Sequence, residues 1–299
     1  MAIESNGTGK PTSATDRKAL IVFPILVLIG LLVAAAGSQG GSQIAGMPVF
    51  ALLVGLAFLI QWLVFIPAYR QQTEKFFDLT GSLTYITIST LALLLSAGAD
   101  GRAILVWVLV LIWAARLGTF LFRRIKKEGK DDRFDEIKPS FIRFLNVWTI
   151  QGLWVTFTLT AALVTITTNN RKELDLFALI GLLVWLFGFS MEVIADLQKS
   201  RFNADPKNKG QFIRTGLWSR SRHPNYFGEI TLWIGVMIIA LPVLQGWQWV
   251  ALISPVFVTL LLTRVSGVPL LEKKADEKWG GQADYEAYKK STPVLIPRL

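Results

Sequence analysis

From its first residues onward the chain alternates between long apolar blocks and short polar connectors. Blocks near twenty residues recur at about 19–36, 47–69, 80–97, 103–122, 146–168, 174–196, 226–244 and 248–264. About 20 apolar residues is the length at which a helix crosses a bilayer. A soluble chain of this size would instead spread its apolar residues in amphipathic stripes around one core. The pattern predicts an all-α integral membrane protein, a multi-pass bundle of eight helices, with seven as the second count. The third block, which contains TGSLTYITIST, is the weakest because it is rich in hydroxyls. The last two are separated only by QGWQ, so they are expected either to span separately or to form a hairpin that does not fully cross. No internal repeat of fixed period is present.

Charge orients the bundle. Lys and Arg concentrate in cytoplasmic loops of membrane proteins. With the N-terminus inside, Lys10, Arg17, Lys18, Arg70 and Lys75 fall on one side, together with RRIKKEGKDDRFDEIKPSFIR, QKSRFNADPKNKGQFIRTGLWSRSRHP and the basic tail. The other side holds Arg102, Arg171 and Lys172. Eight spans with both termini cytoplasmic fit this asymmetry, and the expected location is a bacterial inner membrane.

Composition then narrows the chemistry. Hydrophobic residues make up 52% of the chain and charged residues 17%, and the net charge is +10. Orientation and anionic lipid headgroups account for that excess, so membrane lipids are expected partners and nucleic acid is not. There is no cysteine and one histidine, which removes disulfides, thiol nucleophiles and zinc clusters and leaves no metal expected. Four segments are expected: a disordered N-terminus over 1–18, a lipid-substrate half over 19–143, a cofactor half over 144–264, and an amphipathic tail over 265–299. The tail is read as two short helices about a Gly-Gly break, with Tyr285 and Tyr288 on one face. It either lies on the membrane surface or folds back over a pocket.

Ionisable residues inside spans are costly and face the bundle interior or a cavity, so each is a candidate. Arg116 sits in the fourth span. Glu192 and Asp196 share one face of the sixth at i and i+4, with Lys199 three residues beyond Asp196. Arg116 is expected either to pair with one of these carboxylates or to line a pocket with them. Glu229 lies one turn into the seventh span. Before it comes SRSRHPNYFGE at 219–229, which holds the lone His223. Pro224 suits a first helical turn and pushes His223 out of helical geometry. A helix start beside Arg220 and Arg222 is an anion site suited to phosphate. Asn225 and Glu229 again share a face, with Tyr226 beside them, and Gly228 allows close approach. The plainer reading of the stretch is a helix cap with basic neighbours.

Together with DLQKSRF upstream and a tail reading Y..Y......IP, the sequence GLWSRSRHPNYFGEITLWIG resembles the C-terminal half of the steroid 5-alpha-reductase family. More closely it resembles the bacterial branch known as domain of unknown function 1295. The same half is similar to sterol reductases and isoprenylcysteine carboxyl methyltransferases. The resemblance carries specific motifs over about residues 185–299, and little beyond span pattern over 47–184. It implies a bundle open to the cytoplasm that binds NADPH through Asp196, Asn225 and Glu229, with Lys199 and Arg201 near the phosphates and Tyr288 in the tail. It also implies hydride addition to a carbon–carbon double bond conjugated to a carbonyl in an apolar, steroid-like or isoprenoid-like lipid. The N-terminal half departs from the family. Gln61 is followed by Trp62 rather than glutamate, Trp113 stands where a tyrosine is expected, and only Tyr69 and Tyr85 are available, so no catalytic acid is assigned. Two alternatives stay open: an S-adenosylmethionine-dependent methyltransferase, whose sulfonium calls for acidic and aromatic neighbours, and a non-catalytic lipid-binding or transport protein.

Overall fold

The structure, a computed structural model, describes residues 14–128 and 134–298. It is almost entirely helical. Among the described residues eight helices are long and apolar enough to cross a membrane, in agreement with the expected count. They begin with α1 (Ala14–Gly37), α2 (Val49–Arg70), α3 (Phe77–Leu95) and α4 (Gly101–Glu128). Then follow α5 (Phe141–Thr167), α6 (Leu176–Ala204) and α7 (Pro224–Ala240). The eighth segment is broken into a 3₁₀ stretch (Gly246–Leu252), α8 (Ile253–Leu260) and a π-helical turn (Leu261–Val265). Two short helices, α9 (Val268–Trp279) and α10 (Ala283–Ser291), form the tail about Gly280 and Gly281. The only sheet among the described residues is a two-residue hairpin of β1 (Gln43–Ile44) and β2 (Met47–Pro48) between α1 and α2.

Helix ends depart from the apolar blocks in two informative places. Disorder was expected through residue 18. Residues 1–13 lie outside the described residues, but α1 already begins at Ala14, and Asp16 in its first turn accepts a 2.7 Å hydrogen bond from Ser140 Oγ. An acidic group in a first turn also suits the helix dipole. At its other end α6 runs on past the block ending at 196 to Ala204. A helix of 29 residues rising about 1.5 Å per residue outreaches the roughly 30 Å apolar core of a bilayer. It therefore carries Lys199 out of the hydrocarbon.

The hydroxyl-rich third span is a regular helix because its hydroxyls bond within it. Thr80, Ser82, Thr84 and Ser89 donate to the carbonyls four residues earlier at 2.7–3.1 Å, a pattern that satisfies Ser and Thr without water. Thr84 also accepts from Gln61 Nε2 at 2.8 Å. The central helix α5 uses the same device at Thr156, Thr160, Thr165 and Thr167. It is the most enclosed of the spans and packs on α1, α2, α3, α4 and α8, joining helices on either side of residue 143.

The most extensive helix pairing is α6 on α7, and glycine makes it possible. Gly188 faces Gly228, and Gly181 faces Gly235. A β-carbon at Gly188 would lie 2.5 Å from Leu232 N and 2.6 Å from Gly228 O, both backbone atoms that cannot swing aside. One at Gly228 would lie 2.6 Å from Glu192 N. Small residues that let helix backbones touch are the usual means of holding membrane helices, where lipid supplies no hydrophobic drive.

The charges on the less basic face are structural. Arg102, 1% exposed, donates to Ile239 O at 2.6 Å and Glu173 O at 2.7 Å and pairs with Asp175 at 2.9 Å. It pins the start of α4 to the connection before α6 and to the end of α7. Arg171 donates to the carbonyls of Ile166 and Ala97, each at 3.0 Å.

Replacing Gly188 by alanine is expected to destabilise the fold by about 1–3 kcal/mol, the usual cost of overpacking. Gly55→Ala in α2, where an added β-carbon meets nothing within 4 Å, is expected to be neutral or mildly stabilising. Thermal denaturation of the two purified variants beside wild type checks both.

Candidate functional site

Six elements enclose a cavity of about 320 Å³ inside the bundle. Its walls are mixed: Phe77, Asp78, Ser82 and Tyr85 from α3, Trp113 and Phe120 from α4, Gln151, Trp154 and Thr158 from α5, and Val258 with Leu261 and Leu262 from the broken eighth segment. Four polar side chains enter from the glycine seam, Glu192 and Asp196 from α6 and Asn225 and Glu229 from α7. Close contact of α6 and α7 at Gly228 sets these two pairs side by side.

Arg116 donates one guanidinium nitrogen to Glu192 Oε1 and another to Asp196 Oδ2, so it pairs with both carboxylates rather than one. Lys199, three residues on, is close enough for its charge to favour the Asp196 carboxylate. Its ammonium lies 4.7 Å over the Trp218 ring. Asp196 also has the Asn225 side chain in hydrogen-bonding reach. The three carboxyl groups of the glycine seam thus face one guanidinium within the enclosure. Several buried polar atoms of this cavity have no partner: Glu192 Oε2, Asn225 Oδ1, Gln151 Oε1 and Trp113 Nε1. Buried polar atoms are paired as a rule, so these four are open to water or to a ligand.

A second pocket, about 260 Å³, lies where α9 and α10 fold back onto the 199–223 region. Its aromatic side is Phe212, Trp218, Trp279, Tyr285 and Tyr288, and its basic side is Lys199, Arg222, Lys274 and Lys278. The tail is held by Tyr288 Oη donating to Trp218 O at 2.6 Å and by Trp279 Nε1 donating to Gly210 O at 2.6 Å. Beyond α10 the chain runs along the residues before α7. Arg222 N donates to Pro293 O at 2.9 Å, Ser221 Oγ to Leu295 O at 2.8 Å, and Arg298 N to Arg220 O at 2.9 Å. This strap fixes the start of α7 at Pro224, where the sequence places it.

The single histidine is held by the tail. His223 Nε2 lies 2.7 Å from Glu272 Oε1, and Arg222 pairs with the other Glu272 oxygen at 3.3 Å. The His223 ring stacks on Tyr226 with 5.6 Å between centroids. The residues read as one anion-binding mouth therefore divide. Asp196, Asn225, Tyr226 and Glu229 line the bundle cavity, while Lys199, Arg222, His223 and Tyr288 line the tail pocket. Arg201 and Arg220 are exposed and line neither. Glu272, in the tail, was not among the sequence candidates, and nothing in its local sequence separates it from the other acids of α9. Tyr85 was noted only as an available tyrosine. It lies in the bundle cavity, edge-on to Trp113 at 5.0 Å between centroids, with Thr158 as its hydrogen-bond partner. Tyr69 is remote from the cavity, packed against Phe65 and Phe141.

Residues 64–292 match the family described as "Protein of unknown function (DUF1295)". The chain belongs to this family. It is the steroid 5-alpha-reductase-like branch, and the matched stretch contains every residue lining the two pockets. An uncharacterized protein of Schizosaccharomyces pombe is 26% identical over 231 residues, which cover 67% of this chain and 65% of that protein. The chain thus spans just under two thirds of that relative's length. No solved structure matches at a significant level.

The DUF1295 tail carries a titration that can be measured. Burial, partly offset by the charge of Arg222, pushes the Tyr288 phenol up to about 12, and Tyr285 is raised as well. A phenol whose folded value lies above its unfolded value near 10 favours the fold fully below pH 10. That contribution is lost as pH rises from there to about 12. Wild type is expected to lose thermal stability more steeply across this window than Tyr288→Phe. At neutral pH the Phe variant, lacking one buried hydrogen bond worth about 1 kcal/mol, is expected to exchange its α10 amides about fivefold faster.

Proposed function

We propose that the protein is a membrane-embedded, NADPH-dependent reductase of a carbon–carbon double bond conjugated to a carbonyl in a flat apolar lipid of steroid or isoprenoid type. The observation that carries this reading is the bundle cavity, whose unpartnered polar atoms gather beside aromatic side chains and next to a basic, aromatic pocket under the tail. In this reading both termini and the tail pocket face the cytoplasm of a bacterial inner membrane, as the basic asymmetry suggests.

The residues present fit a pyridine dinucleotide. Asn225, Glu229 and Asp196 offer donors and acceptors to the amide-bearing ring, while Lys199, Arg222, Lys274 and Lys278 suit its phosphates. When bound, NADPH supplies the hydride. The chain's own part is to shape and protonate. Trp113, Phe120 and the residues of α8 exclude water and hold a planar apolar molecule. Tyr85 Oη, in the same cavity and bonded to Thr158, donates a hydrogen bond to the substrate carbonyl oxygen and then its proton. The family resemblance supplies the reaction class, and Tyr85 takes the place of the tyrosine missing at Trp113.

One observation favours a second reading. Three carboxyl groups with Trp113, Tyr85 and Phe120 around them are also what a sulfonium attracts, as in methyl transfer from S-adenosylmethionine. The basic tail pocket favours the phosphate-bearing cofactor instead.

Titration calorimetry of detergent-purified protein against NADPH and, separately, S-adenosylmethionine distinguishes the two. Heat with NADPH alone is expected, and heat with S-adenosylmethionine alone overturns the reductase reading. Glu229→Gln is expected to weaken NADPH binding about tenfold, near 1.4 kcal/mol. Tyr85→Phe is expected to leave that affinity within twofold while lowering turnover of an apolar enone about 100-fold, within the range for a lost proton donor.

A further inference from the structure

The wall of the bundle cavity between α4 and α6 differs from the rest. Helix α4 packs on α3, α5 and α7, and α6 packs along α7, so α4 and α6 flank α7 without packing extensively on each other. What joins them is Arg116, through its bonds to Glu192 and Asp196. The two carboxylates line the cavity, as do Trp113, Leu117 and Phe120 beside Arg116 on α4, but Arg116 itself does not. Its side chain is nevertheless 19% exposed. Exposed apolar residues adjoin it in sequence: Ile112 lies one turn before Arg116 on α4, and Ile194 and Leu197 lie beside the two carboxylates on α6.

A guanidinium at this position separates two compartments, the cavity and the bilayer. Charged groups at the lipid boundary of a span are costly and signal a path when they persist. As a stability device the arrangement is poor, because well-packed apolar residues do as well or better than a buried ion pair. As a closure it is effective, since breaking it requires two bonds to part and re-forms a charged barrier when they return.

We propose that the Arg116 clasp is a lateral gate, and that the apolar substrate reaches the cavity directly from the bilayer between α4 and α6. The proposal rests on the cavity being the site of an apolar substrate, but not on which cofactor serves it.

The chain contains no cysteine, so one introduced thiol reports on the cavity alone. Val155, which lines it from the central helix α5, is replaced by cysteine and the protein reconstituted in vesicles. Labelling is then timed with benzyl methanethiosulfonate, which partitions into the bilayer, and with its cationic trimethylammonioethyl counterpart in water, whose charge the acid-lined cavity does not repel. The benzyl reagent is expected to label and the charged one to lag at least tenfold. Adding Arg116→Gln is expected to speed the benzyl reagent about tenfold and leave the charged one slow. Arg116→Lys, which keeps the charge without the two-pronged bond, is expected to fall between. Equal labelling by the two reagents would place the path in water and overturn the gate. So would a Lys variant, or a folded Gln variant, that labels at the rate of the Val155→Cys parent. Neither reagent uses NADPH, so a failed cofactor titration and a failed gate are separate results.

Discussion

The acid cluster of the bundle cavity depends on the contact between α6 and α7. Without hydrophobic drive in lipid, two helices stay together by touching closely, and four glycines spaced seven apart remove the side chains that would hold them off. That contact sets the carboxyl-bearing face of α6 against the Asn225 and Glu229 face of α7. A bulkier residue at Gly228 would strike Glu192 itself. Packing and chemistry are one feature here, since the backbone approach that stabilises the pair also concentrates its acids.

The acids in turn define what the interior tolerates. One guanidinium serves two of the three carboxyl groups of the glycine seam, and it comes from α4, a helix that otherwise packs mainly on α3 and α5. Unpartnered oxygens on Glu192, Asn225 and Gln151 remain. An enclosure with that balance accepts donors and positive charge far more readily than anions. The neighbouring tail pocket has the opposite balance, with Lys199, Arg222, Lys274 and Lys278 outnumbering Glu272. A molecule whose two ends differ in charge suits the pair better than either pocket alone.

Much of the frame was legible in the sequence because membrane spans announce themselves by length, and Pro224 announced the start of α7. Even the hydroxyl-rich α3 followed once Thr and Ser bonded back along their own helix. The site was legible only in kind. Glu192, Asp196, Asn225 and Glu229 share helix faces at i and i+4, a local rule, and they line one cavity. That Lys199, Arg222, His223 and Tyr288 line a different one follows from the fold-back of α9, which brings Glu272 to His223 across 49 residues. No local spacing encodes that. Arg201 and Arg220 had the right chemistry beside the right helices and still line neither pocket. Tyr85 was hidden by its weak span, and its value comes from meeting Trp113 across two helices.

The strap over Ser221 and Arg222 has a consequence for how the protein is made. Its bonds join residues 70 and 74 positions apart, Trp218 to Tyr288 and Ser221 to Leu295. During synthesis α7 enters the membrane well before residues 288–298 have left the ribosome. The mouth of α7 therefore stays open through insertion of the whole bundle, and the tail pocket exists only after the last span is in place.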